Sequence, residues 1–128
     1  MKLNPDCIRD ILLTVENTTD LHNWLNYPRE ADLCPLLTIY KEEEVKYHIN
    51  QCLLSGLLIG DISDLSFSFI IRDLSPKGHS FLADIRADTT WNKVKQTGKS
   101  LGIYSLDSLM KIASEIVTNL ISGHFTGI

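Results

Sequence analysis

The stretch that decides the fold is KEEEVKYHINQCLLSGLLIGDISDLSFSFIIRDLS, from Lys41 to Ser75. In its first half, Val45, Ile49 and Cys52 recur at helical spacing, which predicts an amphipathic helix that stops at Gly56. The segments LLIGDIS and FSFIIRD then predict two strands around the turn SDLS. A helix followed by a two-stranded ribbon is the outline of a DNA-reading helix and its wing.

The residues before this stretch predict one long helix and two short elements. A helix is predicted from Pro5 to Glu16, because Asn4 is a good N-cap and proline suits the first helical position. The segment LHNWLN around Trp24 predicts a short helical turn, and LLTIY, from Leu36 to Tyr40, predicts a short strand. Three side chains of the ribbon are predicted to share one side: Phe67, Phe69 and Ile71.

Downstream of the ribbon the sequence predicts three more helices. Ser75 caps the first of them, with Pro76 at its first position, and Asp88 or Thr89 caps a short second helix. The segment TGKSLG then predicts a loop, and a last helix is predicted from Ser105 to about Ile121. This order of elements predicts an α+β fold, a winged-helix-like domain with a small β-ribbon and a C-terminal helical extension.

Composition narrows the class of protein. The 128 residues are 44% hydrophobic, enough for a single domain over 1–128, with a core at 1–86 and the helical extension at 87–128. A net charge of −4 argues against a surface that attracts nucleic acid or acidic lipid throughout. The start of the chain is polar and no apolar run is long enough to cross a bilayer, so we expect a cytoplasmic location.

The sequence shows no pattern typical of a metal site or an active site. Cys7, Cys34 and Cys52 are an odd number without framework spacing, and we expect free thiols, with Cys7 and Cys52 buried in the core. His48 and Cys52 stand four residues apart on the predicted helix, but near its apolar side, which favours core packing over metal binding. With no nucleophile–base pair or phosphate loop, we expect no catalytic residues, no metal and no cofactor.

Two stretches resemble known families. YHINQCLLSGLL, from Tyr47 to Leu58, is similar to the H-L-x-x-L-x-x-A-G-L segment of winged-helix regulators. LSPKGHSFLADIRADTTWNKVK, from Leu74 to Lys95, and the N-terminal IRDILLTVE resemble the domain of unknown function 2513, an uncharacterised family often carried by phages and prophages. The pattern that carries this resemblance is Gly78-His79, Phe81-Leu82, Ile85-Arg86, Asp88-Thr89 and Trp91-Asn92-Lys93. The resemblance implies a small winged-helix-like phage protein with no assigned activity.

The outward face of the predicted reading helix carries the first set of candidate contacts, Lys46, Tyr47 and Asn50. Asparagine pairs with adenine and lysine neutralises phosphate, so these residues suit DNA. Glu43 lies on the same face, however, and the ribbon carries three aspartates against one arginine, a net charge of −2. No positioning helix stands directly before the reading helix. These features disfavour DNA binding.

The segment from Ser75 to Lys99 is a second candidate surface. It holds five lysine or arginine residues against two aspartates, a net charge of +3. Its candidate contacts to nucleic acid or to an acidic partner are Lys77, Arg86, Trp91, Lys93 and Lys95. The alternative is a solvated helix face on which Trp91 is buried as an anchor.

The last predicted helix is apolar over nearly half of its circumference, wider than the stripe of about 100° of an ordinary surface helix. The centre of this stripe is predicted to face the domain's own core and consists of Leu109, Ala113, Ile116 and Leu120. Toward one edge lie the predicted contacts of a homodimer, Met110, Val117 and Ile121. The alternative is a core helix that its own domain covers completely.

Taken together, these patterns predict an interaction protein without enzymatic activity. We expect a protein partner and no membrane association. The family resemblance by itself implies a phage or prophage accessory role, and a sharper form of that expectation is inhibition of a host defence component. The alternative is a winged-helix DNA-binding transcriptional regulator.

Overall fold

The computed structural model describes residues 1–63 and 66–126, with side chains up to residue 125. The protein is α+β: the described residues form five α-helices and one three-stranded antiparallel sheet. In chain order the elements are α1 Pro5–Thr18, β1 Leu25–Tyr27, two 3-10 turns at Ala31–Leu33 and Pro35–Leu37, α2 Glu42–Leu54, β2 Leu58–Ser63, β3 Ser68–Leu74, α3 Pro76–Ile85, α4 Asp88–Leu101 and α5 Leu106–Thr126.

The chain divides into two compact units, Met1–His79 and a second that begins at Ser80. The first unit holds α1, α2 and the sheet, and the second holds α4 and α5. The single domain over 1–128, with its core at 1–86 and its extension at 87–128, stays a prediction.

The first unit confirms the helix and ribbon predicted between Lys41 and Ser75. The helix is α2, and Gly56 follows it at a left-handed φ of 75°, which suits a residue without a side chain. The ribbon is formed by β2 and β3, which pair antiparallel. The middle of the predicted turn, residues 64 and 65, lies outside the described residues.

The sheet has the order β1-β3-β2 and one buried face. On that face Phe69 lies opposite Tyr27 and Ile71 lies opposite Leu25. All four side chains are buried, and β3 packs against α1. Alternate residues of a strand point to opposite sides, so the other face, which carries Ile70, is open.

The helix α1 confirms its predicted start and continues two residues past Glu16. The side chain of Asn4 accepts a hydrogen bond of 3.2 Å from the backbone N–H of Asp6, as expected of an N-cap. The last turn is closed by the hydroxyls of Thr18 and Thr19, which each donate to the carbonyl four residues earlier at 2.7 Å.

The predictions for the segment between α1 and α2 were wrong. Trp24 does not lie in a helical turn, because the carboxylate of Asp20 accepts hydrogen bonds from the N–H groups of His22 and Asn23 and closes a turn just before it. The chain then pairs with β3 as β1. Leu36–Tyr40 forms no strand, since Pro35 begins a 3-10 turn in that region.

Two boundaries in the second unit also differ from the prediction. No side chain caps α4, whose N-cap position is Ala87, and the helix continues through the predicted loop TGKSLG to Leu101. Gly98 therefore lies inside α4 and not in a loop. A glycine suits this position because the chain packs tightly there: an added Cβ would lie 3.0 Å from the carbonyl oxygen of Ile103. The helix ends instead at Gly102, which has a left-handed φ of 70°.

The start of α5 agrees with the prediction and its end does not. The hydroxyl of Ser105 accepts a hydrogen bond of 3.1 Å from the backbone N–H of Ser108, which confirms the predicted cap. The helix passes Ile121 and Gly123 and ends at Thr126, because a glycine lowers helix stability by only about 1 kcal/mol and does not by itself end a helix.

Candidate protein-interaction surface

The position of α2 is set by a buried histidine. His48 is fully buried, and its ring accepts a hydrogen bond of 2.8 Å from the backbone N–H of Asn4 at the start of α1. The side chain of Asn4 also donates to Glu44 at 3.4 Å. The buried residues Val45, Ile49 and Cys52 form the inner side of α2, as predicted. This packing turns the opposite side of the helix outward.

The outward side of α2 brings together three of the predicted contact residues. Lys46, Tyr47 and Asn50 line an open groove of about 310 Å³ with Glu43 and Phe67, and we call it the α2 groove. Phe67 comes from the ribbon turn, so the groove joins the helix to the ribbon.

Phe67 departs from its predicted position on the buried side with Phe69 and Ile71. Its backbone φ is 48°, the left-handed region that few residues other than glycine adopt. This conformation leaves the Phe67 ring 49% exposed, with its edge against Phe69 at 5.8 Å between ring centroids. Strict alternation along a strand predicted the wrong side, because Phe67 precedes the first residue of β3 and belongs to the turn.

The charges around the α2 groove are mostly paired or acidic. Lys46 forms an ion pair of 3.2 Å with Glu42, four residues earlier on the same helix, and only 17% of the lysine side chain is exposed. Glu43 lines the groove. The surface therefore offers aromatic area and hydrogen-bonding groups, but little free positive charge.

A second exposed aromatic residue lies on the open face of the sheet. Trp24 is 52% exposed, and the guanidinium carbon of Arg72 lies 5.4 Å from the centre of its ring. Arg72 also forms an ion pair of 2.5 Å with Asp61 on the neighbouring strand. The sequence contained a signal for this exposed tryptophan that was missed. Trp24 and Asn26 alternate with Leu25 and Tyr27, which are buried, as the two sides of a strand do.

The open cleft beside Trp24 is acidic. It has a volume of about 450 Å³ and is lined by Glu16, Thr19, Asp20, Leu21, Trp24, Arg72, Asp73 and His79. Hydrogen bonds from the side chain of Asn23 and from two backbone N–H groups lower the pKa of Asp20, which keeps this carboxyl ionised. The imidazole of His79 lies 3.5 Å from the carboxylate of Asp73.

The candidate contact residues predicted in the segment from Ser75 to Lys99 differ from one another in their surroundings. Lys77 donates a hydrogen bond of 3.2 Å to the carbonyl of Ser55, and Arg86 and Lys93 are exposed. Trp91 is buried, as in the alternative interpretation of this segment, and the ammonium of Lys95 lies 5.6 Å from its ring centre. A binding role for these residues stays a prediction.

The predicted dimer contacts on α5 are also exposed to different degrees. Met110 and Val117 are half-buried, and Ile121 is 53% exposed. Leu109 and Ala113 are fully buried, as predicted, whereas Ile116 is half-buried and Leu120 is 55% exposed. The prediction that Leu120 faces the core was wrong.

The three cysteines are free and buried, which confirms the prediction for Cys7 and Cys52. Burial, with smaller effects of the Glu44 and Asp10 carboxylates, raises the pKa of Cys7 to about 12. Burial likewise raises the pKa of Cys34 and of Cys52. Among the described residues, no three histidine, cysteine or acidic side chains are grouped so that they would hold a metal ion. Nor is any described helix both long and apolar enough to span a bilayer.

Comparison with known proteins shows the family to which this α+β protein belongs. A family model described as "Hypothetical protein (DUF2513)" matches residues 2–104. An uncharacterized protein of Haemophilus influenzae is 35% identical over 125 residues, which cover 95% of this chain and all of that protein. The chain belongs to the DUF2513 family, which confirms the resemblance seen in the sequence. No solved structure matches it.

Proposed function

We propose that the protein acts without catalysis by binding another protein through the α2 groove, on a winged-helix-like scaffold. The observation that carries this proposal is the outward position of Phe67. A left-handed backbone costs a residue with a side chain roughly 1–2 kcal/mol, and strained residues tend to cluster at functional sites. In this protein the strained conformation keeps an aromatic ring 49% exposed at the rim of a groove.

The composition of the α2 groove suits a protein partner. Aromatic residues are enriched at protein interfaces, and charged residues are depleted at their centres. Tyr47 and Phe67 supply the aromatic area, while Asn50 supplies hydrogen-bonding groups. The one lysine of the groove, Lys46, is already paired with Glu42, so little net positive charge would have to be desolvated.

The alternative is a winged-helix DNA-binding regulator. It is favoured by one observation, the presence of Lys46, Tyr47 and Asn50 together on the outward side of the helix before the ribbon. It is opposed by the charges: Lys46 and Arg72 are both paired with carboxylates, and α2 begins with three glutamates where a phosphate would otherwise dock.

The narrower form of the proposal concerns the partner. The family resemblance noted in the sequence associates such chains with phages and prophages. We propose that the protein is an accessory protein of this type, that it acts in the bacterial cytoplasm, and that its partner is a component of host defence.

The test is capture from a bacterial lysate with three forms of the protein. Phe67→Asn keeps a residue type that tolerates the left-handed conformation but removes the ring. Ile39→Asn is the matched control, because Ile39 is 77% exposed and does not line the groove. We expect a specific protein to be retained by the wild type and by Ile39→Asn and to be lost with Phe67→Asn. Equal capture by all three forms would contradict the proposal.

A second measurement separates the two functions. Fluorescence anisotropy with mixed-sequence duplex DNA is expected to show no binding at physiological salt, because Lys46, the lysine of the groove, and Arg72, on the open face of the sheet, are both paired with carboxylates. A sub-micromolar dissociation constant that weakens steeply with added salt would favour the DNA-binding alternative.

A further inference from the structure

One carboxylate of the α2 groove has no cation beside it. Glu43 is exposed and lines the groove together with the rings of Tyr47 and Phe67. Among the residues that the structure describes, none forms an ion pair with the Glu43 carboxylate. The lysine of the groove, Lys46, is paired instead with Glu42, so its charge is already balanced. The groove therefore has one negative charge that no side chain in the described part of the chain neutralises.

The two aromatic rings of the groove are held in place by buried neighbours. The ring of Tyr47 meets the buried ring of His48 edge-on, with 5.1 Å between the ring centroids. The ring of Phe67 meets the buried ring of Phe69 in the same way, at 5.8 Å. Edge contacts of this kind are favourable between rings. The aromatic surface is therefore formed before a partner arrives, which lowers the entropic cost of binding.

This set of groups suits a guanidinium group. The face of an aromatic ring is negative and attracts cations, most often the side chain of arginine. A guanidinium group is planar, so it stacks on a ring while its N–H groups donate to a carboxylate. The amide oxygen of Asn50, in the same groove, is a further acceptor, since its side chain forms no hydrogen bond with the described residues.

The same combination of groups holds an arginine elsewhere in this protein. On the open face of the sheet, the guanidinium carbon of Arg72 lies 5.4 Å from the centre of the Trp24 ring, and the group forms an ion pair with Asp61. The aromatic ring and the carboxylate there have a cation from their own chain. In the α2 groove the rings and Glu43 lie together, but no arginine is among the residues that line it. The groove lacks the component that Arg72 supplies to the sheet.

We propose that the α2 groove binds an arginine side chain of the partner protein and that Glu43 is the residue that selects it. This inference rests on the proposed function of the groove. The guanidinium group packs against the rings of Tyr47 and Phe67 and donates hydrogen bonds to the carboxylate of Glu43 and to the amide oxygen of Asn50. A partner that presents an acidic side chain is disfavoured, because the Glu43 carboxylate repels it.

The test is an NMR titration of isotope-labelled protein with two probes, N-acetylarginine amide and N-acetylcitrulline amide. The probes have nearly the same shape, but only the arginine probe is charged. We expect the arginine probe to shift the resonances of Glu43, Tyr47 and Phe67 and to bind roughly tenfold more tightly than the citrulline probe. In Glu43→Gln this ratio is expected to fall to about threefold, because only the attraction of the rings for the cation remains. Glu115→Gln changes an exposed glutamate of α5 and is expected to keep the wild-type ratio.

Three results of the titration would overturn the choice of arginine. They are equal binding of the two probes to the wild type, an unchanged ratio in a Glu43→Gln variant with the circular dichroism of the wild type, and shifts confined to the acidic cleft beside Trp24.

Capture from a lysate distinguishes this inference from the proposed function. We expect Glu43→Gln to retain less of the captured protein than the wild type does, and Glu115→Gln to retain as much. Capture that depends on Phe67 but not on Glu43 would overturn the selection of arginine and leave the proposed function standing. Capture that does not depend on Phe67 would overturn both.

Discussion

The backbone N–H of Asn4 donates a hydrogen bond of 2.8 Å to Nε2 of His48. The other ring nitrogen, Nδ1, lies 2.7 Å from the carbonyl oxygen of Glu44. Because Nε2 accepts, Nδ1 carries the proton and donates to that carbonyl. Nε2 therefore joins the start of α1 to α2, Nδ1 is bonded within α2, and neither nitrogen of this buried ring is free for a metal ion.

The first prediction follows from this pair of hydrogen bonds. His48→Leu leaves the N–H of Asn4 without its partner, and an unsatisfied buried group costs about 1–3 kcal/mol. We expect the free energy of unfolding, measured with urea, to fall by that amount. The control His22→Leu changes an exposed ring and is expected to alter it by less than about 0.5 kcal/mol. Equal effects of the two variants would show that His48 does not join the helices.

The second prediction concerns alkaline pH. The pKa of the Cys7 thiol is 9.0 in an unfolded chain and about 12 in the folded protein. Between these values the unfolded thiol loses its proton and the folded thiol keeps it, so unfolding is increasingly favoured. The stabilisation is complete below pH 9 and is lost progressively as the pH rises toward 12.

Denaturation at several pH values tests this prediction. The free energy of unfolding of the wild type is expected to decline above pH 9, and that of Cys7→Ala is expected to decline less steeply.

The thiols are also expected to react with a thiol reagent only after unfolding, since they are buried. Rapid reaction of the native protein would contradict the buried positions.

The third prediction tests the positions of the two tryptophans. Trp24 is 52% exposed and Trp91 is 2% exposed, so acrylamide should quench one component of the fluorescence and leave the other. Trp24→Phe is expected to remove the quenchable component, and Trp91→Phe to retain it. Arg72→Ala is expected to increase quenching, because the guanidinium group lies 5.4 Å from the Trp24 ring centre. Efficient quenching in Trp24→Phe would place Trp91 at the surface.

The fourth prediction compares two helical glycines. A Cβ at Gly78 would collide with the backbone carbonyl of Leu57, whereas a Cβ at Gly123 would meet no atom within 4 Å. We expect Gly78→Ala to lower the free energy of unfolding by about 1–3 kcal/mol, since the backbone has to shift. Gly123→Ala is expected to raise it by about 0.5–1 kcal/mol, because alanine favours helix. A stabilising Gly78→Ala would contradict the close approach.

Much of the fold could be predicted from the sequence because short-range contacts decide it. Asn4 and Ser105 cap helices through atoms two or three residues away, and these contacts are present as predicted. The apolar positions of α1 and α2 follow the helical period, so the burial of Cys7 and Cys52 was also predictable. Of the candidate site, this reasoning identified Lys46, Tyr47 and Asn50 as neighbours on one outward side.

The tertiary structure decided the features that depend on residues far apart in the chain. Leu25–Tyr27 is a strand because β3, more than forty residues later, supplies its hydrogen-bond partners, and that pairing turns Trp24 outward. Gly98 is a packing residue rather than a loop residue because the chain after Gly102 folds back against it. The sequence determined that α5 has a wide apolar side. The exposure of Leu120 was decided by the tertiary structure, because α4 is shorter than α5 and does not extend far enough along it to cover this residue.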